Sequence, residues 1–122
     1  MPTDSARVLV IDDEAVLRGL LRDMLSACGY DADVAEDGAA GLARFQAQRY
    51  DAVITDLLMP GMNGFDVVAA LRTIDPAVRI IMLTGSAPAL TAGRARESGV
   101  ILLYKPIALG DLKAAVDAAC KL

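Results

Sequence analysis

Short aliphatic runs alternate along the chain with longer segments in which apolar residues recur at helical spacing. Runs of the first kind are typical of buried β-strands, and segments of the second kind are typical of amphipathic helices. The predicted strands are residues 7–11, 31–35, 51–55, 79–84 and 100–104. The predicted helices are residues 16–28, about 38–48, 64–74, 88–98 and 109–122. The pattern therefore predicts five βα units in a single domain over residues 1–122.

Helix boundaries are marked by residues with suitable backbone or side-chain chemistry. Gly29 is placed to end the first helix, because glycine readily adopts the left-handed conformation common at that position. Asp37 and Asn63 are placed to cap the second and third helices with their side-chain oxygens. Pro88 fits the first turn of the fourth helix, where a missing N–H breaks no hydrogen bond.

The strands also predict the architecture. Strands that are apolar at nearly every position are buried on both faces, which indicates a parallel sheet with helices on each side. The second strand is more polar, and we expect it at an edge. Right-handed crossovers bring the carboxyl ends of all the strands to one edge, where such sheets carry their ligand chemistry. The predicted fold class is α/β, a doubly wound five-stranded parallel sheet, (βα)5.

Composition narrows the function classes. Among 122 residues, 55% are hydrophobic and 23% are charged, which is typical of a globular domain. The absence of histidine excludes Ser-His-Asp and Cys-His catalysis and the usual zinc sites. The net charge of −4 argues against direct nucleic-acid binding. Two cysteines without a framework, no signal-peptide pattern and no membrane-spanning run together predict a cytoplasmic domain with no membrane partner.

Polar side chains stand at the carboxyl ends of four predicted strands. They are Asp12 and Asp13 after the first strand, Asp56 after the third, Thr84 at the end of the fourth and Lys105 after the fifth. Residues 1–56 hold eleven acids against five bases, so acidic charge is concentrated in the half that supplies the three aspartates. Carboxylates held together repel one another unless a cation binds. Mg²⁺ is the expected cation because it prefers oxygen ligands.

The same residues suit phosphoryl chemistry. Lys105 supplies a positive charge and Thr84 a hydroxyl donor, which together with a metal would stabilise a phosphoryl group. Asp56 is the expected nucleophile, since an aspartate carboxylate can form an acyl phosphate. Taken singly, the Asp pair could cap the next helix and Asp56 could form an Asx-turn. Neither the G-x-G-x-x-G nor the P-loop motif occurs, which argues against dinucleotide and P-loop nucleotide binding.

Four motifs carry a family resemblance: IDDE at 11–14, TDLLMPGMNG at 55–64, LTGSA at 83–87 and YKPI at 104–107. In combination they resemble the receiver domain of two-component response regulators, over essentially the whole chain. The resemblance implies a flavodoxin-like fold with strand order 2-1-3-4-5. It also implies that Asp56 accepts a phosphoryl group from the phosphohistidine of a histidine kinase. Asp13 would then coordinate Mg²⁺ directly, Asp12 largely through water, and Leu58 through its backbone carbonyl.

The resemblance gives roles to five further positions. Thr84 matches the hydroxyl that moves toward the phosphoryl group, and Lys105 matches the lysine that pairs with it. Gly85 matches a small residue that leaves the acceptor accessible. Ser86, together with Leu58, matches positions that tune the access of hydrolytic water. The bond between Lys105 and Pro106 matches one that is often cis in this family.

The chain departs from the family pattern at one switch position. The family's switch aromatic lies three residues before the lysine, where this chain has Leu102. Tyr104 lies on the same face of the strand as Leu102 but nearer the active edge. The segment from Gly99 to Lys105 is also one residue shorter than the common pattern. These departures resemble receivers of hybrid histidine kinases and put the usual aromatic rotation in doubt.

The sequence favours a phosphorylation switch among three function classes. A histidine kinase or phosphotransfer protein would supply the phosphoryl group, and a downstream protein partner would recognise the surface of the fourth helix, fifth strand and fifth helix. We expect no enzyme activity toward a separate substrate. An aspartate-nucleophile phosphatase usually has a second acid where this chain has Leu58, and a scaffold that is never phosphorylated would not need the acidic site. The sequence leaves open whether the domain acts as a monomer or a homodimer.

Overall fold

The structure, a computed structural model, describes residues 6–85 and 88–120. Five strands alternate with five helices in this part of the chain. The strands are β1 (Arg7–Ile11), β2 (Asp31–Ala35), β3 (Ala52–Asp56), β4 (Ile80–Thr84) and β5 (Ile101–Tyr104). The helices are α1 (Ala15–Ala27), α2 (Gly38–Ala47), α3 (Gly64–Ile74), α4 (Ala89–Glu97) and α5 (Leu109–Cys120). Ser86 and the predicted helix end at Leu122 lie outside the described residues.

The strands form one parallel sheet in the order β2-β1-β3-β4-β5. This confirms the predicted α/β class and the strand order that the resemblance implied. The polar strand β2 is at an edge, as its composition predicted. In the register of the sheet, Asp56 lies beside Leu83 and Thr84 lies beside Tyr104, so the ends of β3, β4 and β5 lie within one residue of one another.

A hydrophobic core fills each side of the sheet. On one side Leu9, Val53 and Met82 pack with residues of α2 and α3, including Phe45, Phe65 and Leu71. On the other side Val8, Ile54 and Leu83 pack with residues of α1 and α5, including Leu21, Leu25, Leu112 and Val116. Successive residues of the central strands therefore point into opposite cores, which explains their nearly continuous apolar sequence.

The predicted helix signals act as expected, with small shifts in boundaries. The Asp37 side chain accepts a hydrogen bond from the Ala40 backbone N–H at 2.8 Å. Asn63 and Asp66 form a reciprocal capping box at the start of α3. Gly29 follows α1 with φ +90°, a conformation that favours glycine. Pro88 is the residue before α4 instead of lying within its first turn.

Candidate functional site

The carboxyl ends of four strands meet at one cleft of about 320 Å³. The residues that line it are Asp13, Glu14, Asp56, Leu58, Thr84, Gly85 and Lys105. The residues predicted from the sequence to carry chemistry therefore lie together; Asp12 does not line the cleft, but one of its oxygens lies within 4.8 Å of those of Asp13 and Asp56. Asp56 is the last residue of β3, and not the first after it as predicted, so its backbone belongs to the sheet.

Three carboxylates form an acidic cluster in this cleft. One oxygen from each of Asp12, Asp13 and Asp56 lies within 4.8 Å of the others. Asp12 is completely buried and Asp56 is 5% exposed, whereas Asp13 is exposed. Burial is the main cause that raises the pKa of both Asp12 and Asp56 above the usual value of 3.8. The cluster therefore holds charged oxygens where solvent stabilises them poorly.

Asp12 presents a buried oxygen with no hydrogen bond. Its Oδ1 atom accepts a hydrogen bond from the Glu14 backbone N–H at 2.8 Å, whereas its Oδ2 atom is buried and has no hydrogen-bond partner. Buried polar atoms are nearly always satisfied, so an unpartnered carboxylate oxygen beside two further carboxylates fits a bound cation. The donor set consists entirely of oxygens, which suits Mg²⁺.

Lys105 carries the positive charge of the site. Its Nζ atom lies 3.0 Å from Asp56 Oδ1. Burial by itself lowers the pKa of Lys105, but the hydrogen bond and charge of Asp56 outweigh that effect and raise it. The same contact lowers the pKa of Asp56 without overcoming its burial, so the pKa of this carboxyl stays raised although it is paired.

The backbone around Asp56 fixes the direction of its side chain. The Leu57 backbone N–H donates to Asp56 Oδ1 at 3.1 Å and also to the Leu83 carbonyl at 2.9 Å. Gly64 closes this turn, since its N–H donates to the Leu57 carbonyl at 2.7 Å. A Cβ atom at Gly64 would lie 2.8 Å from the Asp56 carbonyl oxygen, so only glycine lets α3 begin so close to β3.

Thr84 and Lys105 reach the cleft from neighbouring strands. Thr84 ends β4 and is 3% exposed. The Lys105 backbone N–H donates to the Thr84 carbonyl at 2.8 Å, which continues the sheet beyond β5. The peptide bond between Lys105 and Pro106 is cis, the isomer that the resemblance implied as frequent.

The capping explanation of the acidic residues does not fit the observed contacts. Glu14 occupies the N-cap position of α1, and its side chain makes no capping hydrogen bond. Asp12 binds the N–H of Glu14, outside the helix, and Asp56 binds the N–H of the next residue instead of forming an Asx-turn. The Asp12 contact spans two residues, as in an Asx-turn, but it uses only one oxygen. Local backbone structure therefore leaves Asp12 Oδ2 and its grouping with Asp13 and Asp56 unexplained.

Of the positions with a predicted switch or tuning role, Leu58 and Gly85 line the cleft. Leu58 is 75% exposed at the cleft, and a Cβ atom added at Gly85 would contact nothing within 4 Å. Leu102 is half-buried against the core that contains Phe65. Tyr104 is 52% exposed and lies beside Thr84 in the sheet. Pro106 is exposed, and Ser86 lies outside the described residues.

Two residues of the site were not identified from the sequence. Glu14 Oε1 lies 3.8 Å from Lys105 Nζ, so the lysine stands between two carboxylates. Arg18 donates a hydrogen bond to the Asp12 carbonyl at 2.8 Å and ties α1 to the end of β1. The position of Glu14 next to the Asp pair was the available signal for it. Nothing in the spacing of Arg18 distinguishes it from other arginines on helices.

A larger cleft of about 470 Å³ lies near the amino ends of β3 and β4, away from these residues. Phe45, Tyr50, Arg79 and Cys120 are among its lining residues, and none of the predicted site residues lines it. Burial raises the pKa of the Cys120 thiol to about 11, so this thiol is a poor nucleophile at neutral pH. Volume alone would therefore direct attention to the wrong end of the sheet.

Comparison with known proteins gives one family. The model of the response regulator receiver domain matches residues 8–117. The chain is 39% identical over 119 residues to the DNA-binding response regulator MtrA of Mycobacterium tuberculosis, which covers 97% of the chain and 52% of MtrA. It is 38% identical over 107 residues to the sensor protein EvgS of Escherichia coli, which covers 87% of the chain and 9% of EvgS.

Solved structures agree with this result. The chemotaxis protein CheY4 of Vibrio cholerae superposes with a TM-score of 0.90 at 30% identity, covering 95% of this chain and 99% of that chain. The chain thus spans about half of MtrA, a small part of EvgS and nearly all of CheY4. Among the described residues, none of the helices is both long enough and apolar enough to cross a bilayer.

Proposed function

The chain belongs to the response regulator receiver domain family, and from that premise we propose that it is a phosphorylation switch whose acceptor is Asp56. One observation carries the proposal: a buried carboxylate lies 3.0 Å from a lysine ammonium inside an acidic cluster that has an unpartnered oxygen. This arrangement suits an anion that arrives together with a cation, and it suits neither a packed core nor an ordinary surface ion pair.

The proposed reaction transfers a phosphoryl group from a phosphohistidine. A carboxylate oxygen of Asp56 attacks phosphorus, and the new O–P bond replaces the P–N bond to the donor imidazole, which leaves with the electron pair of the broken bond. Lys105 would pair with the transferred oxygens, and Thr84, which lines the same cleft, would donate its hydroxyl to them. Water later breaks the O–P bond, which restores the Asp56 carboxylate and releases inorganic phosphate.

Mg²⁺ is the proposed cofactor. Asp12, Asp13 and Asp56 would hold it, with the Leu58 backbone carbonyl as a further ligand. When bound, the ion would offset the charge of these carboxylates and of the phosphoryl oxygens. The unpartnered Oδ2 atom of Asp12 supports this assignment, since a nearby cation would satisfy it.

The phosphoryl donor is proposed to be a histidine kinase or phosphotransfer protein in the cytoplasm. Membership of the receiver domain family supports a protein donor. The exposed side chains of Leu58 in the cleft and Tyr104 beside Thr84 leave apolar surface next to the acceptor that such a protein could cover. A downstream protein partner would recognise the face formed by α4, β5 and α5.

Two other functions are less well supported. A phosphatase acting on separate substrates would need a second acid two residues after the nucleophile, and that position is the exposed, uncharged Leu58. A scaffold that is never phosphorylated has no use for a buried, unpartnered carboxylate oxygen, which costs about 1–3 kcal/mol in a folded protein.

Intact-mass spectrometry tests the proposed acceptor. The wild type and Asp56→Asn are incubated with acetyl phosphate, with and without Mg²⁺. We expect a single phosphoryl adduct on the wild type that requires Mg²⁺ and is absent from Asp56→Asn. An adduct of equal yield on Asp56→Asn would contradict the assignment. No adduct on the wild type, together with no beryllofluoride binding, would favour the scaffold.

A further inference from the structure

We propose that Glu14 competes with the phosphoryl group for Lys105 and thereby weakens the phosphorylated state, a regulatory role that rests on the proposed function. Lys105 is the only described cation within 4 Å of Asp56, so its direction decides how much positive charge meets the transferred group. Glu14 is the second carboxylate in contact with that lysine. It is a positioning residue, since it acts through Lys105.

The geometry places the ammonium between two acids of different character. Lys105 Nζ lies 3.0 Å from Asp56 Oδ1 and 3.8 Å from Glu14 Oε1. The Asp56 side chain is 7% exposed, whereas the Glu14 side chain is 64% exposed. The inner carboxylate becomes the phosphorylated one, and the outer carboxylate keeps its charge and remains beside the lysine.

The backbone holds Glu14 at the rim. Its N–H donates to Asp12 Oδ1 at 2.8 Å, so the main chain of Glu14 is fixed by an acid of the proposed metal cluster. Its side chain makes no capping hydrogen bond to α1. The side chain is therefore not needed to satisfy the helix end, and it contacts Lys105 instead.

An exposed ion pair of this kind adds little to the stability of the fold. Its effect on anion binding is different, because a phosphoryl group brings about two negative charges to the cleft. Glu14 repels these charges and also holds the ammonium that should meet them. Neutralising Glu14 removes both the repulsion and the competition for Lys105. The same substitution removes a negative charge near Asp13 and so weakens the attraction for Mg²⁺. At saturating Mg²⁺ the metal site stays filled, so the change in repulsion and competition determines the affinity for the anion.

Beryllofluoride, which binds carboxylates as a phosphoryl analogue, provides the test. The wild type, Glu14→Gln and Glu36→Gln are titrated at saturating Mg²⁺, with binding followed by NMR. Glu36 is the matched control because it is an exposed acid at the same edge of the sheet, after β2, and does not line the cleft. We expect Glu14→Gln to bind the analogue about fivefold more tightly than the wild type, as suits a unit charge at this separation in a solvated site. Glu36→Gln should match the wild type.

Salt distinguishes a charge effect from a structural one. The advantage of Glu14→Gln should shrink between about 0.1 M and 1 M NaCl, because the screening length falls from about 10 Å to about 3 Å. Equal affinity for Glu14→Gln and Glu36→Gln, or an advantage that does not change with salt, would overturn the role of Glu14 while leaving the phosphorylation switch intact. Failure of the wild type to bind the analogue at all would overturn both proposals.

Discussion

At the scale of one residue, Asp12 is a side chain whose charge lowers the stability of the folded protein. Its side chain is completely buried, one oxygen has no hydrogen bond, and Asp13 and Asp56 add negative charge beside it. Removing such a charge normally stabilises a protein, because a buried and uncompensated ion is costly. Asp12 therefore lowers the free energy of unfolding of the protein when no metal is bound.

The variant Asp12→Asn tests this cost through pH. The folded protein holds the pKa of Asp12 above 3.8, its usual value in an unfolded chain. At pH values between the unfolded and the folded pKa, the folded state therefore binds more protons than the unfolded state. Stability contributed by this group is then lost as pH rises above 3.8 through the folded pKa. We expect metal-free Asp12→Asn to be more stable than the wild type by about 1–3 kcal/mol at pH 7.5. The difference should shrink toward pH 4.

Urea unfolding in EDTA measures this difference. The matched control is Asp23→Asn, an exposed acid on α1 away from the cleft. Its effect on the free energy of unfolding should stay small at both pH values. A wild type that is more stable than Asp12→Asn at pH 7.5 without metal would show that Asp12 is satisfied in the folded state.

Residue types at strand ends were predictable, whereas their contacts were not. Alternation of strand and helix places Asp12, Asp56 and Lys105 at one edge whatever the loops do, because strands joined by helical crossovers run parallel. The contact of Glu14 with Lys105 depends instead on side-chain directions set by both β1 and β5. Residues that belong to neither a strand end nor a periodic pattern have no such signal.

At the scale of elements, the described side chains of α4 contribute little to the core. Among the side chains of residues 91–97, Ala95 is buried and the others are exposed or half-buried. Polar contacts replace apolar packing: the Arg94 guanidinium lies 4.2 Å from the centre of the Phe65 ring on α3, and Arg72 donates to the Ser98 carbonyl. A helix held in this way opens more easily than one held by a large apolar face.

We expect Arg94→Gln to loosen α4 without unfolding the sheet. A cation–π contact at an exposed site contributes about 0.5–1 kcal/mol, so amide hydrogen exchange in α4 should become about twofold to fivefold faster. Exchange in β4 should change little. Arg96→Gln is the matched control, since Arg96 lies on the same helix and is exposed. Equal acceleration in both variants would mean that the Phe65 contact does not anchor α4.

Capping chemistry made some elements more predictable than others. The first residues of α2 and α3 were predictable from Asp37 and Asn63, whose side chains accept hydrogen bonds from free backbone N–H groups in the first turn of each helix. No comparable signal exists before α4, where Pro88 lies outside the helix and not in its first turn. The resemblance supplied the strand order, because crossover handedness alone does not say which strands are neighbours.

At the scale of the whole molecule, packing and chemistry are separated along the strands. The middle of each central strand is apolar on both faces and supports the two cores, while the carboxyl ends carry the charges. Most of the folding free energy therefore comes from residues that do not touch the cleft. The cleft can hold like charges together because the cores on both sides of the sheet compensate for their repulsion.

Mg²⁺ should consequently stabilise the entire domain, and Asp13 is the residue through which this is best tested. A ligand that binds only the folded state at ten times its dissociation constant adds about 1.4 kcal/mol, which for a chain of this size corresponds to a rise in Tm of roughly 3–6 °C. Thermal unfolding of the wild type should show this rise, and Asp13→Ala should lose most of it because one of three carboxylates is gone.

Asp13 is exposed, so its removal should leave the metal-free Tm nearly unchanged. Asp23→Asn should respond to Mg²⁺ as the wild type does. An undiminished rise in Asp13→Ala would remove Asp13 from the metal site and leave Asp12 and Asp56 to hold the cation alone.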